Sequence, residues 1–189
     1  MRIDEAKRNF LLDVRWRAFP LHPETPEEGI TLEELFAGRN VDIPAVRARL
    51  KRVAEELELP WGERKKTYNS RLAQELGKWA ETKGRGDAYH DAAFRGYFVE
   101  GKNIGKKDVL VDLAESVGLE KDVAREVLES RTFRAAVDED WTLSRQWGIT
   151  AVPTFVMNGA GVVGAQPYEK LAEFLRDQKV PKREASLSS

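Results

Sequence analysis

Hydrophobic positions recur along this chain with two different periods. Near the N-terminus Val14, Trp16 and Ala18 alternate with Arg15 and Arg17 across Asp13 to Phe19, the period of a strand with one buried face, until Pro20 and Pro23 stop it. From Pro44, a residue tolerated in a first helical turn, Val46, Leu50, Val53 and Leu57 recur at three- and four-residue spacing up to Leu59-Pro60 and predict an amphipathic helix. Leu72, Leu76 and Trp79 mark a second helix closed by Lys83-Gly84. Asp87 then caps a third that carries Ala88, Ala92 and Tyr97 or Phe98 inward. Val109, Leu110, Leu113 and Val117 mark a fourth helix closed by Gly118, and Val123, Val127 and Leu128 a short fifth. Phe133, Val137, Trp141 and Ser144 line one face of a sixth, which runs to Trp147-Gly148.

Beyond Pro153 the period becomes extended. Thr154 to Met157 and Val162 to Ala165 flank Asn158-Gly159, two residues that tolerate positive φ, which predicts a β-hairpin. Leu171, Phe174 and Leu175 share one face of a closing helix from Tyr168 to Gln178, and the polar Pro181 to Ser189 is expected to fray.

Composition narrows the function classes. With 31 basic against 32 acidic residues among 189, and a pI near 6.2, the chain has no basic footprint for nucleic acid or an anionic membrane. The N-terminus lacks the apolar core of a secretory signal, and no apolar run is long enough to span a bilayer. A cytoplasmic protein that binds neither nucleic acid nor membrane is the expectation. There is no cysteine anywhere.

Several segments, in this order, carry a family resemblance. They are Val14-Arg15-Trp16-Arg17-Ala18-Phe19-Pro20-Leu21 with Pro23 and Glu28-Gly29, Asn69-Ser70-Arg71-Leu72-Ala73, Gly118-Leu119, and Gly148-Ile149-Thr150-Ala151-Val152-Pro153-Thr154-Phe155-Val156 with Gly164-Ala165-Gln166. Together they resemble the DsbA family of the thioredoxin superfamily, in its cytoplasmic FrnE-like branch. The resemblance implies an α/β, thioredoxin-like (DsbA-like) fold with a large helical insertion. The thioredoxin-like domain would comprise residues 1–29 and 132–180, the insertion 30–131, and a flexible tail 181–189.

The family's chemistry is thiol–disulfide exchange by a C-x-x-C motif at a helix N-terminus, where the helix dipole favours the attacking thiolate. Here Arg2 to Leu12 resembles the remainder of that helix, so the first strand and both cysteines are expected upstream of Met1. In the thioredoxin fold that strand lies between the strands expected at Val14 to Phe19 and Thr154 to Met157. Its absence leaves three expectations: the two remaining strands close on each other, a strand comes from another chain to make a dimer, or the true start lies upstream.

As written the chain is expected to be redox-inactive, with no catalytic residue and no metal site. The resemblance leaves a substrate-binding set, Val152, Pro153 and Asn69. Val152 precedes a proline expected to be cis, and its backbone is placed to pair with an extended peptide by strand addition. Asn69 and Arg71 resemble positions near the cleft, although Asn69 at a helix start also suits a cap.

Other candidates have simpler explanations. His22 and His90 are far apart, Glu27-Glu28 and Glu33-Glu34 read as solvated carboxylates in a highly charged chain, and period-two burial accounts for Arg15, Trp16, Arg17 and Phe19 without a single-strand nucleic-acid role. Two further function classes stand beside the disulfide oxidoreductase or isomerase. One is a glutathione-dependent enzyme of the hydroxychromene-carboxylate isomerase or kappa-class type, for which glutathione is the cofactor. The chain's Val163-Gly164-Ala165-Gln166-Pro167 departs from the Gly-x-Asp-Arg of those enzymes. The other is a non-catalytic peptide-binding module.

Overall fold

The computed structural model describes residues 2–183. Along the chain run α1 (Arg2–Asn9), β1 (Ile30–Thr31), α2 (Leu32–Leu35), α3 (Ile43–Glu56), β2 (Lys66–Thr67), α4 (Arg71–Thr82) and α5 (Gly86–Phe94). A π-helical turn (Arg95–Val99) follows, then α6 (Lys107–Ser116), α7 (Lys121–Ser130), α8 (Arg134–Gln146), β3 (Thr154–Met157), β4 (Ala160–Val163) and α9 (Tyr168–Asp177). Contacts divide the chain into two compact units, Met1–Leu21 with Asp140–Ser189, and His22–Glu139.

The helical unit forms where the apolar periodicity places it. Leu76, Trp79 and Ala80 of α4, Leu110 and Val111 of α6, and Leu128 of α7 are buried in one core. Glycine punctuation ends the helices as their sequence suggests. Gly118, at φ +80°, closes α6, and the Leu119 N–H then donates to Ala114 O at 3.1 Å. Asp87, expected as a cap, lies instead in the first turn of α5, whose cap position is Arg85. The reason is the tight exit from α4: Gly84 takes φ +67° and the Arg85 N–H donates back to Ala80 O at 2.9 Å, so α5 starts before Asp87 is reached. Tyr97 packs on the core, whereas Phe98 is exposed.

The sequence pattern did not resolve the small elements before α3. Thr31 and Glu34 form a capping box on α2, the Thr31 N–H donating to Glu34 Oε2 at 2.7 Å, and β1 pairs antiparallel with β2. The T-x-x-E spacing was the available signal. On α3, Asp42 accepts from the Ala45 N–H at 2.9 Å and starts the predicted helix. Its apolar stripe nevertheless stays in solvent, with Val46, Leu50 and Leu57 all exposed.

In the other unit α1 packs on α9 around Ala6, Phe10, Ala172 and Leu175. The expected hairpin is present. β3 and β4 pair antiparallel across Asn158 and Gly159, at φ +50° and +80°, so both central residues adopt the left-handed region that a two-residue type I′ loop demands. β4 begins two residues earlier than the pattern suggested, because Ala160 pairs with Met157 directly across the turn. Pro181 to Arg183, expected to fray, are tied back: the Leu11 N–H donates to Pro181 O at 2.9 Å, the Arg183 N–H donates to Asn9 O at 3.0 Å, and Phe10 and Lys182 form an isolated bridge. The rest of the expected tail, 184–189, lies outside the described residues.

The strand expected at Asp13 to Phe19 does not form. Its side chains keep the two-residue alternation, with Val14, Trp16 and Ala18 half-buried and Asp13, Arg15 and Arg17 exposed, yet no strand pairs with it among the described residues. Alternation marks which face is covered; a ladder also needs a neighbouring strand in register. Among the described residues β3 pairs only with β4, so the first of the three alternatives, closure of the two strands on each other, is not seen. A buried carboxylate substitutes locally. Asp140, 2% exposed, accepts the Ala18 N–H at 2.9 Å and Arg17 Nη1 at 2.8 Å.

Replacing Asp140 with alanine is expected to destabilise the chain by about 2 kcal/mol, the loss of hydrogen bonds to a charged acceptor. Urea titration reads this loss, and hydrogen exchange is expected to show the Ala18 amide losing its protection.

Candidate functional site

Helix α8 ends at Gly148, which takes φ +65° and allows the Ile149 N–H to reach back to Ser144 O at 2.9 Å. The chain then turns through Ala151, whose carbonyl accepts Thr154 Oγ1 at 2.7 Å, and enters β3 through a cis Val152–Pro153 bond. The cis geometry expected from the sequence is therefore present. Pro153 O accepts the Gly164 N–H at 2.8 Å, which extends the hairpin ladder one step past its last strand pair.

The register determines which backbone groups are left over. With Met157 opposite Ala160 across the turn, Phe155 opposite Val162, and Pro153 bonded to Gly164, the alternate residues Thr154 and Val156 direct their N–H and C=O groups to the other edge of β3. Among the described residues no strand occupies that edge, and Val152 makes no backbone hydrogen bond. Val152 is 44% exposed and Val156 is exposed beside it. This is an open strand edge, reached through a cis proline, with apolar side chains around it.

Asn69 is held elsewhere, in the helical unit. Its amide Nδ2 donates to Pro23 O at 3.1 Å and Thr25 O at 2.8 Å, and its Oδ1 accepts the Arg71 N–H at 2.9 Å. The side chain thus ties the 23–25 loop to the start of α4, whose cap position is Ser70. Val152 and Pro153 belong to the other unit, so the three residues form no single cluster within either one.

Arg71 organises a charged network that sequence reasoning did not identify. Its Nε donates to Glu75 Oε1 at 2.6 Å and its Nη2 to Asp138 Oδ1 at 2.7 Å, while Arg131 grips Glu75 from the far side through Nε at 2.6 Å and Nη2 at 2.7 Å. Glu75 is 1% exposed. Burial alone raises its pKa, but hydrogen bonds from Arg131 and Arg71 and their positive charges more than offset this and hold it below the usual value. The sequence did carry a signal: Glu75 stands three residues after Leu72 on the apolar face of α4, and Asp140 stands between Val137 and Ser144 on that of α8.

Glu34 caps α2, and the His90 ring lies 4.4 Å from that of Phe94, centroid to centroid. His22 has its pKa lowered, chiefly by burial and then by Arg39. No group of three or more histidine, aspartate or glutamate side chains among the described residues is placed to hold a metal ion. No helix among them is long and apolar enough to cross a membrane.

Comparison with known proteins gives these observations a context. A family model described as a DSBA-like thioredoxin domain matches residues 1–176. Protein YwbO of Bacillus subtilis (strain 168), itself uncharacterized, is 32% identical over 115 residues, which cover 59% of this chain and 56% of YwbO. The matched region thus spans little more than half of that relative. Among solved structures, the probable DsbA oxidoreductase SCO1869 from Streptomyces coelicolor superposes with a TM-score of 0.85 at 26% identity, covering 100% of this chain and 87% of that one. A 2-hydroxychromene-2-carboxylate isomerase matches with a TM-score of 0.62 at 18% identity, over 72% of this chain and 66% of that one. The cytosolic disulfide reductase DsbM from Pseudomonas aeruginosa, solved with GSH, matches with a TM-score of 0.54 at 23% identity, over 68% and 72%. The last two likenesses are of fold.

Glu75→Gln is expected to cost about 3 to 5 kcal/mol by leaving two guanidinium groups facing a neutral amide. Because the folded pKa of Glu75 is depressed, its stabilising contribution is full above the unfolded value and is lost as pH falls through the folded one. Denaturation midpoints measured from neutral to acid pH are expected to decline less steeply in Glu75→Gln than in the parent.

Proposed function

Because the chain belongs to the DSBA-like thioredoxin domain family, we propose that it binds extended polypeptide along the open edge of β3, at Val152 and cis Pro153, and performs no thiol–disulfide exchange by itself. The observation that carries this reading is the free backbone of Val152 beside outward-facing Thr154 and Val156. A peptide laid antiparallel to that edge satisfies those groups by strand addition, with apolar contacts to the exposed Val152 and Val156 side chains. Exchange needs a thiolate nucleophile, and none of the 189 residues is a cysteine. The likeness to a reductase described as cytosolic supports a cytoplasmic setting for this binding role.

A second reading draws on the DsbM structure solved with GSH. Glutathione is a short peptide and is suited to the same backbone groups. In this reading it is a ligand of the Val152–Pro153 edge.

Titrating the isotope-labelled chain with a cysteine-free peptide of alternating apolar residues is expected to shift the amide resonances of Val152, Thr154 and Val156 in a saturable way. Val156→Pro removes one outward-facing donor, a change an edge strand tolerates, and is expected to weaken binding about tenfold, whereas Val152→Ala keeps the backbone and most of the affinity. Absence of saturable shifts at millimolar peptide would overturn the peptide reading. Glutathione shifting the same amides would support the second one. In an insulin-reduction assay with dithiothreitol the chain is expected to add nothing to the uncatalysed rate.

A further inference from the structure

Helix α3 has the wrong surface for a solvent-facing helix. Ile43, Val46, Leu50, Val53 and Leu57 follow spacings of three, four, three and four residues, the seam of a paired helix, and the central members Val46 and Leu50 are 45% and 51% exposed. No other helix or strand of its unit packs along α3, and Ala54 is its one buried residue. At 14 residues the helix presents a stripe about 21 Å long.

The charges beside the stripe identify what covers it. Arg49 and Glu56, both exposed and seven residues apart, lie on one flank of the seam, on the side away from Ala54. When two copies of one helix pair antiparallel about a two-fold axis, the same flank of each meets the other. Arg49 then faces Glu56 of the second copy, and the reverse pair forms by symmetry. The register that aligns these charges is centred between residues 52 and 53, within about one residue, or about 1.5 Å, of the centre of the Val46 to Leu57 stripe. In a parallel pair the two copies of this flank lie on opposite sides of the seam, so Arg49 and Glu56 of the two copies do not meet.

We propose that α3 is a self-association surface, and that two copies of this chain dimerise through antiparallel α3 helices with Val46, Leu50, Val53 and Leu57 at the seam and reciprocal Arg49–Glu56 pairs at its rim. The proposal is independent of the peptide-binding reading, which concerns β3 in the other unit.

Sedimentation equilibrium of the full chain from about 1 to 100 µM tests it. A concentration-dependent dimer is expected. Leu50→Glu, at an exposed position, is expected to be monomeric with unchanged helical circular dichroism, and Val46→Ser serves the same purpose if Leu50→Glu does not fold. Arg49→Glu and Glu56→Arg are each expected to raise the dissociation constant about tenfold, and the double reversal R49E/E56R to restore it to within about threefold of the parent. A monomer throughout, a dimer indifferent to Leu50→Glu, or a double reversal no better than the single ones would overturn the proposal.

Discussion

A backbone amide or carbonyl removed from water must find a partner, and a single hairpin can satisfy only one edge of each of its strands. That constraint shapes the whole unit built from the chain's two ends. β4 serves one side of β3; the other side is open among the described residues. The Asp13 to Phe19 segment has the alternation of a strand but no strand beside it among the described residues, and a substitute holds it: Asp140 receives the Ala18 amide together with the Arg17 guanidinium. Just before that segment the Pro181 carbonyl receives the amide of Leu11. A carboxylate suits this purpose because one group offers several lone pairs in different directions.

The helical unit solves a different problem, the burial of a negative charge. Glu75 sits where its helix turns inward, and an unpaired carboxylate there would be neutralised or would carry a large desolvation cost. Arg71 and Arg131 share its two oxygens, tying α4 to the end of α7, and Arg71 also reaches Asp138 on α8. Arg131 reaches Glu75 from a left-handed backbone position at φ +56°. This bracing engages the Arg71 guanidinium, while the Asn69 side chain is engaged separately by the Pro23 and Thr25 carbonyls.

The proposed peptide binding and the proposed self-association therefore use different elements, β3 and α3. The open edge of β3 offers unpaired main-chain groups, which recognise extended chains with little regard for sequence. The α3 stripe offers aliphatic side chains with a flank of opposite charges, which suits a partner of defined register. Neither surface supplies a nucleophile, in keeping with a member of a redox family that has no cysteine.

Much of this was legible in the residues. The long helices followed from apolar spacing, the hairpin from Asn158-Gly159, and the cis bond from the order Gly148 to Phe155 together with the family resemblance. These features are local, fixed by side-chain period, positive-φ turn residues and proline. Whether Val14, Trp16 and Ala18 belong to a ladder was not legible, because pairing depends on a second strand that periodicity does not reveal. Nor was the burial of Glu75 and Asp140, which depends on guanidinium and amide donors brought from as far as 56 and 123 residues away. Sequence by itself determined the long helices, the hairpin and the lack of cysteine in these 189 residues, since each depends on residue identity and near neighbours. Only the tertiary structure decided which strand edge stays open, which charges are buried and which apolar helix face remains in water, because each of these depends on contacts between residues distant in the chain.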